Sequence, residues 1–360
     1  MKKIILRRLV ELSFIQLLVI FPLKAQDNEF VRTYNKVFDA GKDTRLVLIN
    51  KYGNIDIKDW DKNSISIDVE VIVKISNENT ANKFLDKINI NFSETGNTKK
   101  AETIFDKNYC KGFRFCDNNE KFEINYSVFM PKNVTLDLLN KYGSVFINEI
   151  TSTSKIEVKY GKLKANRILH SPEKPLTQIV LGYSDGTIEE CTWTKFDIKY
   201  SKIQINDSKA LVIVSKYSKI NLDKVSSVVS ESKYDTYRIG EVQNFVTTAI
   251  YTNFKFETIG KKLSVETKYS DFIVNYMPID FEIIKINNNY GSYKIGIDSD
   301  ASYIIDGYGK YSKIIYPTIS TVNRTQENDE VKVIGLIGNN RNTTSAVKID
   351  TKYGNIKLSK

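Results

Sequence analysis

The chain has 360 residues, 53 of them Lys or Arg and 43 Asp or Glu, for a formal net charge of +10. One His and three Cys are too few for a zinc site or a disulfide-built scaffold, and so modest a charge does not suggest nucleic acid as a partner. No cofactor motif is present, and no catalytic set of the Ser/His/Asp or Cys/His kind emerges from the order of residues.

Residues 1–26 read as a secretory signal. Lys2, Lys3, Arg7 and Arg8 form a basic start, Leu9 to Leu23 is apolar apart from Glu11 and a few polar residues, and Ala25 suits a cleavage site. A membrane anchor is the competing reading of the same segment. No later stretch approaches the ~20 apolar residues of a spanning helix, so the mature chain is expected to be exported, to the periplasm, outer surface or medium, without a transmembrane segment. Removing residues 1–26 lowers the net charge to +6.

Residues 27–130 read as an N-terminal β-rich module. Strands are expected at Ile65–Ile75 and Lys121–Phe129, with a short helix at Asn79–Lys87 and a polar stretch from Ser93 to Asn119. Cys110 and Cys116 either close a small loop as a disulfide or remain two buried thiols, while Cys191 reads as a small core residue.

Residues 131–360 repeat one phrase, Lys-Tyr-Gly/Ser-x-Ile-x-Ile, which first occurs at Tyr52. The tyrosines recur at Tyr142, Tyr160, Tyr183, Tyr200, Tyr217, Tyr234, Tyr251, Tyr269, Tyr290, Tyr311 and Tyr353. Their spacing, 17 residues over the central copies, 18 to 23 around them and 42, twice 21, before Tyr353, is that of a stacked solenoid. Positions three and five after the tyrosine are apolar, as in Ile203/Ile205, Ile220/Leu222 and Phe254/Phe256, and share one face of a strand. The small residue directly after the tyrosine reads as the corner, so each repeat is strand, corner, strand and return turn. The fold class is all-β, a parallel β-solenoid of about eleven rungs, roughly 50 Å long at the usual strand spacing. Loops are expected around His170, Pro172 and Pro175 and over Thr318–Asp329, the latter before a strand at Val331–Ile337. Lys352 to Leu358 reads as the terminal rung.

The motifs Asn50-Lys-Tyr-Gly-Asn-Ile, Asn140-Lys-Tyr-Gly-Ser-Val and Thr351-Lys-Tyr-Gly-Asn-Ile, with the entry segment Tyr126-Ser-Val-Phe-Met-Pro-Lys-Asn-Val-Thr-Leu, resemble a bacterial family of exported putative adhesins of unknown function, related to the GIN-type adhesin head. The resemblance covers the mature chain, although Ser, Asp or Thr replaces the glycine in the middle rungs. It implies a right-handed β-helix at the cell envelope and a role in adhesion.

Two surfaces are candidates for contact. Lys159, Lys199, Lys216, Lys233 and Lys268 precede their tyrosines and form a column suited to an acidic glycan or another envelope component. Tyr160, Tyr200, Tyr217, Tyr234 and Tyr269 read either as a structural corner ladder or as a platform for sugar rings. The expected function is therefore surface contact, as an adhesin or envelope scaffold and not as an enzyme. The alternative is a polysaccharide lyase or glycosidase, for which Asp185, Glu189 and Glu190, or Asp235 and Asp271, would have to converge on one groove.

Overall fold

The computed structural model describes residues 28–113, 122–170, 176–318 and 320–360. The expected signal segment, Cys116 and the segment 171–175 lie outside these described residues. Cys110 is disulfide-bonded, and Cys191 is a buried free thiol.

The fold is a β-solenoid in which the described residues form 26 strands of one largely parallel, unclosed sheet. The chain enters through β1 (Asn28–Asp39), β2 (Arg45–Lys51), β3 (Ile55–Asp59) and β4 (Ser64–Ile75). It continues through α1 (Glu78–Leu85), β5 (Ile88–Thr95), β6 (Thr98–Phe105) and β7 (Phe122–Met130). Strands β2 and β3 form the rung of Tyr52. Beyond them β6 pairs with β2 and β7 with β3, both in parallel, so the excursion after β3 returns as one more rung. Antiparallel β5 covers β6, while antiparallel β4 pairs with β7 and β1 in turn with β4. The helix starts at Asn77, whose side chain accepts the Thr80 N–H, and buries Ala81, Phe84 and Leu85.

Rungs then follow in register. They begin with β8 (Thr135–Lys141) and β9 (Ser144–Ile150), then β10 (Lys155–Lys159) and β11 (Lys162–Ile168), then β12 (Thr177–Gly182). Five long strands succeed them: β13 (Asp185–Lys199), β14 (Lys202–Lys216), β15 (Lys219–Lys233), β16 (Thr236–Ile250) and β17 (Asn253–Lys268). The expected return turn is not a turn in these central copies. Each is one continuous strand between tyrosines, and its bends show in the buried positions. In β14 these are Ile203, Ile205, Ser208, Leu211, Ile213 and Ser215, followed by Ser218 after the next tyrosine. The steps between them are 2, 3, 3, 2, 2 and 3. A step of two keeps a strand residue on one face, so every step of three marks a bend at which the interior side is kept. Ile203, Ile220, Phe254 and Phe272 all point into the interior and are at most 2% exposed.

The corner is one residue earlier than the sequence suggests. All twelve tyrosines of the phrase have positive φ, from 51° to 66°, and the residue after each is buried or half-buried. Where that residue is glycine, no side chain would fit: a Cβ on Gly143 would lie 1.9 Å from the Gly53 carbonyl oxygen. In three of those five rungs an asparagine two before the tyrosine bonds a backbone carbonyl, Asn50 to Ile124 at 2.9 Å, Asn140 to Gly53 at 3.0 Å and Asn288 to Gly291 at 2.8 Å. The middle rungs use another solution. Ser184 N–H donates to Ser201 Oγ (3.0 Å), Ser201 N–H to Ser218 Oγ (3.2 Å), and Ser218 N–H to Asp235 Oδ1 (2.7 Å). Both arrangements satisfy backbone groups that would otherwise be buried without partners.

The far end departs from sequence order. After β18 (Asp271–Met277) come β19 (Ile283–Asn289), β20 (Tyr293–Ile297), β21 (Tyr303–Lys310) and β22 (Lys313–Ile315). The expected loop at Thr318–Asp329 is mostly strand. There, β23 (Ser320–Glu327) and β24 (Glu330–Ile337) form an antiparallel hairpin turning at Asn328, and β24 pairs with β21. The rung of Tyr353, made of β25 (Ala346–Lys352) and β26 (Asn355–Ser359), is not terminal. It is inserted between the rungs of Tyr290 and Tyr311.

Candidate functional site: a tyrosine column flanked by lysine

The twelve corner tyrosines form one column along the solenoid. In space the order is Tyr52, Tyr142, Tyr160, Tyr183, Tyr200, Tyr217, Tyr234, Tyr251, Tyr269, Tyr290, Tyr353 and Tyr311. Neighbouring rings lie 4.8–5.2 Å apart and within 17° of parallel. Each tyrosine N–H continues the sheet ladder across the corner, as Tyr200 does to the Lys216 carbonyl and Tyr217 to the Lys233 carbonyl. A left-handed backbone costs a non-glycine residue about 1–2 kcal/mol. Stacking contributes about 0.5–1.5 kcal/mol per ring pair and offsets much of that strain.

One end of the column is covered. Tyr52 is half-buried against Phe105 and Phe122, and the Tyr109 hydroxyl donates to its oxygen at 3.2 Å. From Tyr142 onward the side chains are 40–54% exposed. Their ring faces are turned toward one another, and a gap of at most 5.2 Å cannot admit a sugar ring between them. What meets solvent is a row of ring edges and hydroxyls. A platform of free ring faces for pyranose stacking is therefore not what this geometry offers.

Lysines flank the column. Before the tyrosines the register runs Lys141, Lys159, Gly182, Lys199, Lys216, Lys233, Ile250, Lys268. Lys199, Lys216 and Lys233 are thus consecutive, while Gly182 separates Lys159 from them and Ile250 separates Lys268. Lys159 pairs with Glu157 at 2.6 Å and Lys199 with Asp197 at 3.4 Å. The ammonium groups of Lys216 and Lys233 lie 5.2 and 5.5 Å from the ring centroids of Tyr217 and Tyr234, within cation–π range.

A second row stands on the other side of the rings. Lys202 and Lys219 pair in register two residues after Tyr200 and Tyr217, and an open groove is lined by Tyr183, Tyr200, Tyr217, Lys202 and Lys219. Sequence reasoning took only the first row. The signal for the second was the recurrence of Lys-Tyr-Ser-Lys at Lys199–Lys202 and Lys216–Lys219.

Of the carboxylates considered for catalysis, Asp185 lines the groove beside Lys202 and Lys219, and Asp235 and Asp271 face different environments. Asp235 points into the core, whereas Asp271 is exposed and accepts the Ser292 N–H at 2.8 Å. Glu190 pairs with Arg167, and Glu189 accepts from Asn206. His170 is buried, with its N–H on Thr192 Oγ1. Among the described residues no group of three His, Cys, Asp or Glu side chains is placed to hold a metal, and no helix is long and apolar enough to cross a membrane.

Comparison with solved structures finds distant likenesses, among them these three. A putative cell adhesion protein from Clostridium sporogenes is 10% identical, with TM-score 0.23, over 92% of this chain and 99% of that one. A putative lipid binding protein from Parabacteroides distasonis is 9% identical, with TM-score 0.33, over 71% and 96%. A putative adhesin from Parabacteroides merdae is 11% identical, with TM-score 0.34, over 68% and 94%. No family model and no curated protein matches the chain.

Proposed function

We propose that the protein is an exported, non-catalytic rod acting by surface contact, as an adhesin or envelope scaffold, and that its contact face is the tyrosine column with its flanking lysines. The observation that carries this reading is the column itself. Twelve tyrosines hold a backbone conformation unfavourable to them, and all but Tyr52 remain 40–54% exposed. The flanking lysines add to it, because like charges on directly paired strands cost stability and Lys199, Lys216 and Lys233 occupy three successive strands.

The ligand class that fits is an acidic glycan. Ammonium groups on both sides attract carboxylate or sulfate, while tyrosine hydroxyls and ring edges, rather than ring faces, meet the sugar. The test is retention on a panel of acidic and neutral polysaccharides, with product release scored in the same incubations. Retention on acidic polymers is expected, weakening with salt as exposed charges are screened over ~8 Å at physiological ionic strength. Replacing Lys199, Lys216 and Lys233 together with Gln should lower it without loss of thermal stability. Retention indifferent to salt and to this triple change would remove the lysines from the contact. Released unsaturated or reducing-end products would transfer the protein to the enzyme class.

A further inference from the structure

The rung of Tyr353 is held from both sides by rungs that precede it in sequence. β19 and β21 do not pair with each other; each pairs with β25, and likewise β20 and β22 each pair with β26. Tyr290 N–H donates to the Lys352 carbonyl at 2.9 Å, and Tyr353 N–H to the Lys310 carbonyl at 3.0 Å. The Tyr353 ring lies 4.8 Å from Tyr290 and 5.0 Å from Tyr311. Until residues 346–359 enter, the rungs on either side form a slot one strand wide, with unpaired edges on both faces of the rod. Such edges recruit strands.

The slot is selective. Its occupant buries Val347, Ile349, Ile356 and Leu358, and places a tyrosine between two others. At the corner it admits glycine, because a Cβ on Gly354 would lie 2.2 Å from the Gly291 carbonyl oxygen and 2.4 Å from Asn288 Nδ2. The slot therefore recognises strand, Tyr-Gly corner and strand in one register.

The tether to this segment is slack. Ile337 pairs with Tyr303 on one side of β21, and Ala346 pairs with Ile304 on the other, so residues 338–345 need cross only about 10 Å, two strand spacings. Eight residues reach up to ~28 Å when extended. Hydrogen bonds around Ser302 gather the link: Thr343 Oγ1 donates to the Ser302 carbonyl at 2.6 Å, and the Asn339 and Asn340 N–H groups donate to Ser302 Oγ at 3.1 Å each. Its last residue, Ser345, is tied down where the strand begins, its hydroxyl donating to the Phe281 carbonyl at 2.5 Å and its carbonyl accepting from the Ile304 N–H at 3.0 Å.

We propose that this slot is a strand-accepting site for a second copy of the chain, which donates its own residues 346–359 as the link opens. The copy offers the slot every contact that the resident segment makes, and exchange of identical elements is a low-cost route to a dimer. Because the resident rung is bonded on both edges, exchange takes place as the rod forms, not afterwards.

The test refolds the full chain with a labelled peptide of residues 344–360, or with the same peptide carrying Gly354→Val, and follows oligomeric state by light scattering over a range of refolding concentrations. Retention of the first peptide through gel filtration is expected to exceed that of the second at least tenfold. In peptide-free samples, a dimer is expected to grow with refolding concentration and to persist on dilution. Equal retention of the two peptides, or a monomer at every concentration, overturns the proposal. Should the chain not refold, two differently tagged copies are co-expressed; copurification of the tags is then expected, and its absence is equally decisive.

Discussion

The carboxylate of Asp235 lies inside the rod and accepts the backbone N–H of Ser218, in the adjacent rung, at 2.7 Å. Its other oxygen accepts from the hydroxyls of Ser215 and Ser232 and from the Lys233 N–H. Neighbouring rungs perform the same task with a neutral hydroxyl, Ser218 on one side and Thr252 on the other.

Burial raises the Asp235 carboxyl above its ordinary range, against the pull of these four donors. The folded chain therefore keeps this proton to higher pH than the unfolded chain, whose carboxyl titrates near about 3.9. Stability from this group is greatest when both states are protonated and falls as pH rises through the folded value. Asp235→Ser removes the titration. Urea midpoints of the parent, measured against this variant, should decline as pH rises above about 4. A difference constant with pH would contradict the assignment.

Tyr217 should reverse the usual order of small substitutions in a strand. Its φ is 54°, and its ring stacks at 4.9 Å on both Tyr200 and Tyr234. Ala loses both stacks and keeps the strain, whereas Gly loses the stacks and relieves it. Thermal or chemical denaturation is expected to place Tyr217→Gly above Tyr217→Ala by about 1 kcal/mol.

Gly143→Ala should be severe although it adds one methyl group, because the added carbon has only a backbone oxygen to meet. A loss of several kcal/mol is expected, since neither rung can shift without its ladder. Gly41 provides the control. Nothing lies within 4 Å of a Cβ there, and its φ is not positive, so Gly41→Ala should be neutral or stabilising by up to about 1 kcal/mol.

Ile220 and Lys219 are sequence neighbours on opposite sides of the sheet, the first fully buried and the second exposed. Ile220→Asp strands a charge in the core and should cost several kcal/mol. Lys219→Asp should stay within about 0.5 kcal/mol. Comparable shifts in midpoint for the two would show that the facing is wrong.

The architecture was legible because the two apolar columns recur at a short period, and no other arrangement buries Ile203, Ile220, Phe254 and Phe272 together. The corner was less so. Composition favours a small or turn-forming residue where φ is positive, and the Gly, Ser, Asp or Thr directly after each tyrosine looked sufficient; stacking between rungs, which no single repeat reveals, moves the left-handed residue to the tyrosine. The polar run Thr318–Asp329 lacks an apolar face because β23 lies outside the core as an antiparallel flap on β24. The inserted position of Tyr353 could not be read from spacing either, since a step of twice 21 residues suits a skipped rung as well as an inserted one. At the candidate site, the −1 lysines were plain from the phrase, whereas Lys202 and Lys219 needed the register to place them beside the rings.

The four central copies share one 17-residue frame, and β13, β14, β15 and β16 pair without any shift. A duplication of residues 201–217 in the gene would then pass through the fold as a single added layer, about 4.8 Å of extra reach and one more ring. The aromatic lid over Tyr52 and the interleaved strands around Tyr353 would not register the change. Reach is thus a heritable quantity that can be adjusted in unit steps, and homologous rods of different length should differ by whole multiples of this segment in the middle of the chain.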